Sequence, residues 1–243
     1  MRFGFLGCGT IASAVVRGLA GRGHDITVSE RSEATSTTLV SLYPEVSRAP
    51  NQQVIDQSDV IFLGLMAEGA GQTLQQLRFR EGQQVVSFMA GMGLEDLTDL
   101  VRPAAAQAVM MPFPGIAQGG SPIMALGDIA LLSAIFEPQN RIFPLSDQAE
   151  LEGYLAAQAV LSPVARLIAD AASWLAPQVD DPQAAEAFLR MLVSTSLASS
   201  SAETLIKALN TPGGYNQRLR LHMEGCGLRS DLESGLSSLH PGR

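Results

Sequence analysis

Met1-Arg2-Phe3-Gly4-Phe5-Leu6-Gly7-Cys8-Gly9-Thr10-Ile11-Ala12-Ser13 opens the chain, and its reading decides the fold. A short apolar run, Phe3 to Leu6, ends in Gly7-x-Gly9-x-x-Ala12 and passes into a stretch with helical spacing, with Val15, Val16 and Leu19 on one face. This is the strand–turn–helix pattern that receives a dinucleotide pyrophosphate. Gly7 allows a sharp turn off the strand, and Gly9 carries no side chain to block the phosphates. Ala12 is small enough for the helix to pack closely on the strand. The backbone N–H groups of Cys8 to Ala12, with Thr10 and Ile11 at the helix start, then face the phosphates with the positive end of the helix dipole behind them.

The chain has 243 residues, which suits two domains. Apolar residues make up 46% and charged ones 16%, enough for a sizeable core and for burial between subunits. The net charge of −8 argues against nucleic acid or an anionic membrane as partner. Cofactor phosphates must therefore be held locally, by backbone and one or two basic side chains. Cys8 and Cys226 are too few for a disulfide framework, which points to a reducing, cytoplasmic setting. No targeting segment and no apolar run near 18 residues is read, so no membrane association is expected. No group of residues has metal-ligand spacing.

Strand-like and helix-like stretches alternate over residues 1–146: strands at 3–6, 25–29, 46–49, 60–65, 84–89, 108–111, 123–126 and 141–144, with helices between most of them. That alternation predicts an α/β domain with a Rossmann-type, mostly parallel sheet covered on both faces. The run Val60 to Leu65 is continuously apolar, as a strand buried on both faces should be. From residue 147 to 243 the periodicity is helical, broken at Pro163, Pro177, Pro182 and Pro212-Gly213-Gly214. The second domain is therefore read as all-α, and its Ala-, Leu- and Ser-rich helices are expected to pair with a copy of themselves in a homodimer.

Beyond the second strand the chain reads Val28-Ser29-Glu30-Arg31-Ser32, where the adenosine ribose of a dinucleotide lies. Arg31 suits the 2′-phosphate of NADP, with Ser29 and Ser32 as further donors. Glu30 suits the ribose hydroxyls of NAD. The set favours NADP and keeps NAD open.

Four segments in order carry a family resemblance: Gly7 to Ala14, then Val85-Val86-Ser87-Phe88-Met89-Ala90-Gly91-Met92, then Val109-Met110-Met111-Pro112-Phe113-Pro114, then Thr211-Pro212-Gly213-Gly214. With them the chain resembles the pyrroline-5-carboxylate reductase family. The resemblance implies an N-terminal Rossmann domain, a helical domain that dimerises by interleaving, and hydride transfer to a cyclic imine. It places Leu65, Met66, Ala90, Gly91, Met111 and Pro112 beside the cofactor. The chain also departs from the family. Leu65-Met66-Ala67 lacks the usual lysine, and the usual Met-Pro-Asn-Thr-Pro becomes Met111-Pro112-Phe113-Pro114. The turn opening the helical domain reads Ala159-Val160-Leu161-Ser162-Pro163 in place of Ser-Gly-Ser-Gly-Pro, and the Pro-Gly-Gly-Thr-Thr turn reads Pro212-Gly213-Gly214-Tyr215-Asn216. The scaffold carries over better than the substrate site.

Hydride transfer requires an electrophilic carbon held close to the cofactor and stabilisation of the charge that develops. A protonated imine needs little acid catalysis, whereas a ketone needs a proton donor. Of the three histidines, His24 precedes the second strand, His240 lies in the tail, and His222 follows the Pro-Gly-Gly turn with no assigned side. Tyr215 and Asn216 are the candidate catalytic residues. Gly213 and Gly214 offer backbone N–H groups to a substrate carboxylate, with Pro112 and Phe113 forming an apolar wall. The alternative is that Asn216 caps the next helix and Tyr215 packs at a dimer seam. Either Arg218 or Arg220, but not both, can face a carboxylate. The leading expectation is an NAD(P)H-dependent reductase of a small C=N compound. The alternatives are a reductase of the same scaffold acting on another imine, carbonyl or deazaflavin, and a non-catalytic NADP-binding sensor.

Overall fold

The structure, a computed structural model, describes residues 1–89 and 91–240. The chain divides into two compact units, Met1–Leu151 and Glu152–Arg243.

In the first unit the apolar runs become strands and the stretches between them helices: β1 (Arg2–Leu6), α1 (Thr10–Leu19), β2 (Asp25–Ser29), α2 (Glu33–Leu42), β3 (Val46–Ala49), α3 (Asn51–Asp56), β4 (Val60–Leu63), α4 (Ala67–Gln75), β5 (Gln84–Ser87), α5 (Leu94–Val101), β6 (Ala105–Pro112), β7 (Pro122–Gly127), α6 (Ile129–Phe136) and β8 (Arg141–Pro144). One eight-stranded sheet results, in the order β3-β2-β1-β4-β5-β6-β7-β8. From β3 to β6 neighbours are parallel, β7 runs antiparallel to β6, and β8 is parallel to β7. The first unit is the expected Rossmann-type, mostly parallel sheet.

Alternating side chains divide its core between the two faces. On one face Phe3, Phe5 and Phe62 pack under α1 and α6, against Val15, Val16, Leu19, Leu132 and Phe136. The rings of Phe5 and Phe62 stack 4.8 Å apart, and Phe88 continues the row 5.5 Å from Phe62. On the other face Leu6, Ile61, Leu63 and Val85 meet Val54, Leu74, Leu97 and Val101 of α3 to α5. Phe88 is partly buried; each of the fully buried side chains contributes about 1.5–3 kcal/mol, so the central strands are firmly held from both faces.

Three expectations are corrected here, the first being the strand read over 84–89, which ends at Ser87. The strand read over 60–65 ends at Leu63, because Gly64 leaves the ladder to pass beside Gly7. The strand read over 108–111 begins at Ala105, since its register with β5 is set by pairing rather than by side-chain pattern.

The second unit is helical, as expected: after α7 (Gln148–Ala157), which crosses into it, come α8 (Leu161–Leu175), α9 (Pro182–Ser199), α10 (Ala202–Ala208), α11 (Tyr215–Gly225) and α12 (Leu228–Leu239). Asp181 caps α9 by accepting from the N–H groups of Gln183 and Ala184, with Pro182 as first helical residue. Pro163 does not break the chain; it sits in the first turn of α8, where its missing N–H is not needed. Helix therefore joins apolar patches that the sequence reading had separated at Pro163. The 31-residue run Gln148–Gln178 is long and apolar enough to cross a membrane, by length and composition alone.

Among the described residues of this unit, Ala156 and Ala172 are the buried apolar side chains, whereas Trp174 is 72% exposed, Met191 68% and Phe188 60%. No residue of α9 is buried. Between α8 and α12 lies an apolar groove of about 640 Å³, lined by Val160, Val164, Leu167, Leu228, Leu232 and Leu239 among others.

Candidate functional site

Strand order runs outward in both directions from the β1–β4 pair, and at such a switch point the loops beyond the carboxyl ends of parallel strands diverge to leave a crevice. Four segments rim it: Gly7–Gly9 after β1, Glu30–Ser32 after β2, Gly64–Met66 after β4, and Phe88, Met89 and Gly91 after β5. Ala90 lies outside the described residues.

Gly7 adopts φ +88°, and a Cβ there would strike the carbonyl oxygen of Gly64. Gly64 in turn donates its N–H to the Leu6 carbonyl at 2.8 Å and leaves room for the methyl of Ala12. The first turn and the loop after β4 are thus locked backbone to backbone. Gly9 differs, because a Cβ there would meet nothing within 4 Å. Gly9 and Thr10 are exposed, Ile11 is half-buried and Ala12 buried. Gly9 is the N-cap of α1, with no side-chain cap and no acidic residue in the first turn. The N–H groups at that end have no intrahelical partner, and nothing in the first turn offsets the positive end of the dipole. Cys8, between the glycines, is fully buried, and burial pushes its thiol up to about 11. It offers the crevice backbone only.

Ser29 is corrected. It is fully buried, and its Oγ accepts the Gly7 N–H at 2.9 Å, so it braces the turn and does not reach outward as a phosphate donor. Glu30, Arg31 and Ser32 are exposed. Ser32 has φ +67°, the one positive φ outside glycine among the described residues, and its hydroxyl does not cap α2. The first turn of α2 carries Glu33, whose carboxylate is 3.6 Å from Arg48 of β3; Arg48 also donates to Thr37 Oγ1 at 3.0 Å. Arg48 was not singled out in the sequence. Its signal is register, since it lies across from Val28 on the strand next to β2.

After β4, Leu65 is half-buried and Met66 is 75% exposed at the start of α4. At the end of β5, buried Ser87 accepts the Met89 N–H at 3.0 Å, and Gly91 is exposed with φ +84°. Met111 and Pro112 are buried inside β6, Pro112 opposite Ile123. Of that segment Phe113 is half-buried, and the turn Pro114–Ala117 folds onto α1 through Ile116, leaving no space for a side chain at Gly18.

The remaining predicted residues belong to the second unit. Gly213 has φ +74°, and Gly214 caps α11. Asn216 is the second residue of that helix and not its cap, so the capping alternative falls. Gln217 braces the turn from behind, accepting the Gly213 N–H at 2.8 Å and donating to Asn210 Oδ1 at 3.1 Å. Arg220 joins that network through Asn210 and Glu224, each within 3 Å. Tyr215, 90% exposed, and Asn216 stand clear of it. Of the two arginines Arg220 is committed, and Arg218 is exposed with no partner among the described residues. His222 is turned toward Cys226, with Nε2 and Sγ 4.0 Å apart. His24 lies edge-on to Phe3 at the amino end of β2, and burial lowers its pKa.

Comparison with known proteins adds the following. Residues 2–91 match a family described as NADP oxidoreductase, coenzyme F420-dependent. No curated protein matches the sequence. The chain is similar to a 1-pyrroline-5-carboxylate reductase from Streptococcus pyogenes, with a TM-score of 0.83 and 22% identity over 98% of this chain and 96% of that one. It is also similar to a Plasmodium falciparum pyrroline carboxylate reductase solved with NADP bound, at 0.82 and 14% over 98% and 95%. A reductive aminase from Aspergillus terreus, solved with NADPH and ethyl-5-oxohexanoate, gives 0.62 and 17% over 98% and 90%. The similarity spans nearly the full length of each chain, and with the strand order and the glycine turn it gives this protein the fold of the pyrroline-5-carboxylate reductases.

Proposed function

We propose that the protein is an NADPH-dependent reductase of a small C=N compound, with a cyclic imino acid as its substrate class. The observation that carries the reading is the open glycine cradle: Gly9 faces empty space at an uncapped helix start, between loops locked by Gly7 and Gly64. Residues of the chain fit a dinucleotide there. The amides of Gly9, Thr10 and Ile11 hold the pyrophosphate, and Arg31 with Ser32 holds the 2′-phosphate. Leu65, Met66, Gly91 and the Met111–Phe113 segment lie along the rest of it.

When bound, a reduced nicotinamide supplies hydride to the imine carbon. An imine already protonated on nitrogen needs no further acid, so the lack of a histidine at the crevice is compatible with turnover. The N–H groups of Gly213 and Gly214 are taken by Gln217 and by the Thr211 carbonyl, so the carboxylate role falls to Arg218, with Tyr215 and Asn216 placing the ring nitrogen. The helical unit functions as half of a homodimer. A unit whose largest helix buries no side chain needs a partner of equal apolar area, and a second copy supplies it by symmetry.

Fluorescence titration with NADPH and NADH tests the cofactor, and NADPH oxidation by 1-pyrroline-5-carboxylate tests the substrate. Failure of both nucleotides to bind at physiological concentration would end the reading. A second reading rests on the matched family over residues 2–91, whose description names coenzyme F420. There the acceptor is a deazaflavin, and NADPH-dependent bleaching of an F420-type chromophore, without imine turnover, would favour it.

A further inference from the structure

We propose that Ser29 is the positioning residue of the phosphate cradle, an inference that rests on the dinucleotide reading above. Backbone pairing between β1 and β2 ends at Phe5 and Val28. One step further the chain of β1 must leave the sheet, and Gly7 takes φ +88° to do so. Its N–H then points toward β2, where no ladder carbonyl receives it. The Ser29 hydroxyl oxygen receives it instead, at 2.9 Å, from a side chain with no solvent exposure. Water cannot substitute for that acceptor, so its loss strands a buried amide. The amide belongs to the residue that sets the direction of Cys8, Gly9 and Thr10, whose own N–H groups are the free ones. Recognition of a pyrophosphate by backbone tolerates displacements of only about 0.5 Å. Ser29 also starts the Glu30–Ser32 loop, and so ties the two ends of the adenosine site together through one hydroxyl. Ser87 performs the local version of the same task at β5, accepting the amide of Met89.

Two variants test this. Ser29→Ala removes the acceptor, and Ser29→Cys keeps the side chain's shape, with a slightly larger atom, but offers a poor acceptor. Each should weaken NADPH binding about tenfold in a fluorescence titration of the full-length protein. Hydrogen–deuterium exchange of the ligand-free protein should be about tenfold faster in the peptide containing Gly7, with the β4 segment 60–63 unchanged. NADPH affinity within twofold of the parent in both variants overturns the proposal. So does exchange that quickens equally through β1, β2 and β4, because that pattern reports general loosening. A parent protein that binds neither NADPH nor NADH fails at an earlier point, and removes the cofactor reading and this one together.

Discussion

Single atoms decide the outcome at the first turn, and its two glycines do opposite work. At Gly7 the backbone angle and the Gly64 carbonyl both forbid a side chain, so Gly7→Ala should lower the thermal midpoint markedly and reduce soluble yield. At Gly9 a side chain finds open space, so Gly9→Val should fold with a near-parent midpoint in a thermal melt and lose NADPH binding by a hundredfold or more, as its methyls occupy the phosphate position. Together the pair separates scaffold from recognition in one experiment. The buried thiol between them gives a third outcome. In the native protein Ellman's reagent should titrate one thiol per chain, the exposed Cys226, and a second only on unfolding. Because burial holds Cys8 protonated up to about 11, the unfolded chain releases that proton first. Stability from this group is complete below about pH 9, declines above it and is lost as pH rises through the folded value, which a series of urea titrations from pH 8 to 10.5 would record.

Elements show how far a sequence can be read. β2, β3 and β8 have the bounds that local pattern predicts, because each is punctuated by its own neighbours, such as Gly23 before β2 and Pro50 after β3. The glycine turn was equally legible, since its residue types are dictated by local geometry. What pattern could not show depends on residues distant in the chain. Ser29 looks like a polar residue at a strand end, and only the direction of Gly7 reveals that it faces inward. Arg48 looks like a solvated edge charge until the register of β3 beside β2 brings it to Glu33. The commitment of Arg220 to Asn210, ten residues earlier, is likewise a product of how the turn folds back. Asp181→Ala removes the acceptor for two N–H groups at the start of α9 and should cost about 1 kcal/mol, read as a lower midpoint in thermal melts.

For the whole molecule the central question is what covers the helical unit. A homodimer predicts that sizing and sedimentation at micromolar concentration give twice the chain mass, and that Phe188→Glu with Met191→Glu gives a monomer. Trp174 is the only tryptophan, so the native protein's emission should be blue-shifted where its ring is covered and move to the red on dissociation. Persistent monomer with red emission would contradict the dimer, and flotation with lipid vesicles would reassign the apolar run Gln148–Gln178 to a bilayer.

The two outermost strands of the sheet bear on the same question. β3 and β8 are each four residues long; β3 carries Arg48 in its middle, and β8 starts with Arg141 and finishes on Pro144. Short, cationic and proline-terminated borders resist the addition of another strand. The α/β half is thereby closed to lateral growth into ribbons or fibrils, so the proposed homodimer is expected to form through the helices, where contacts between side chains can be selective.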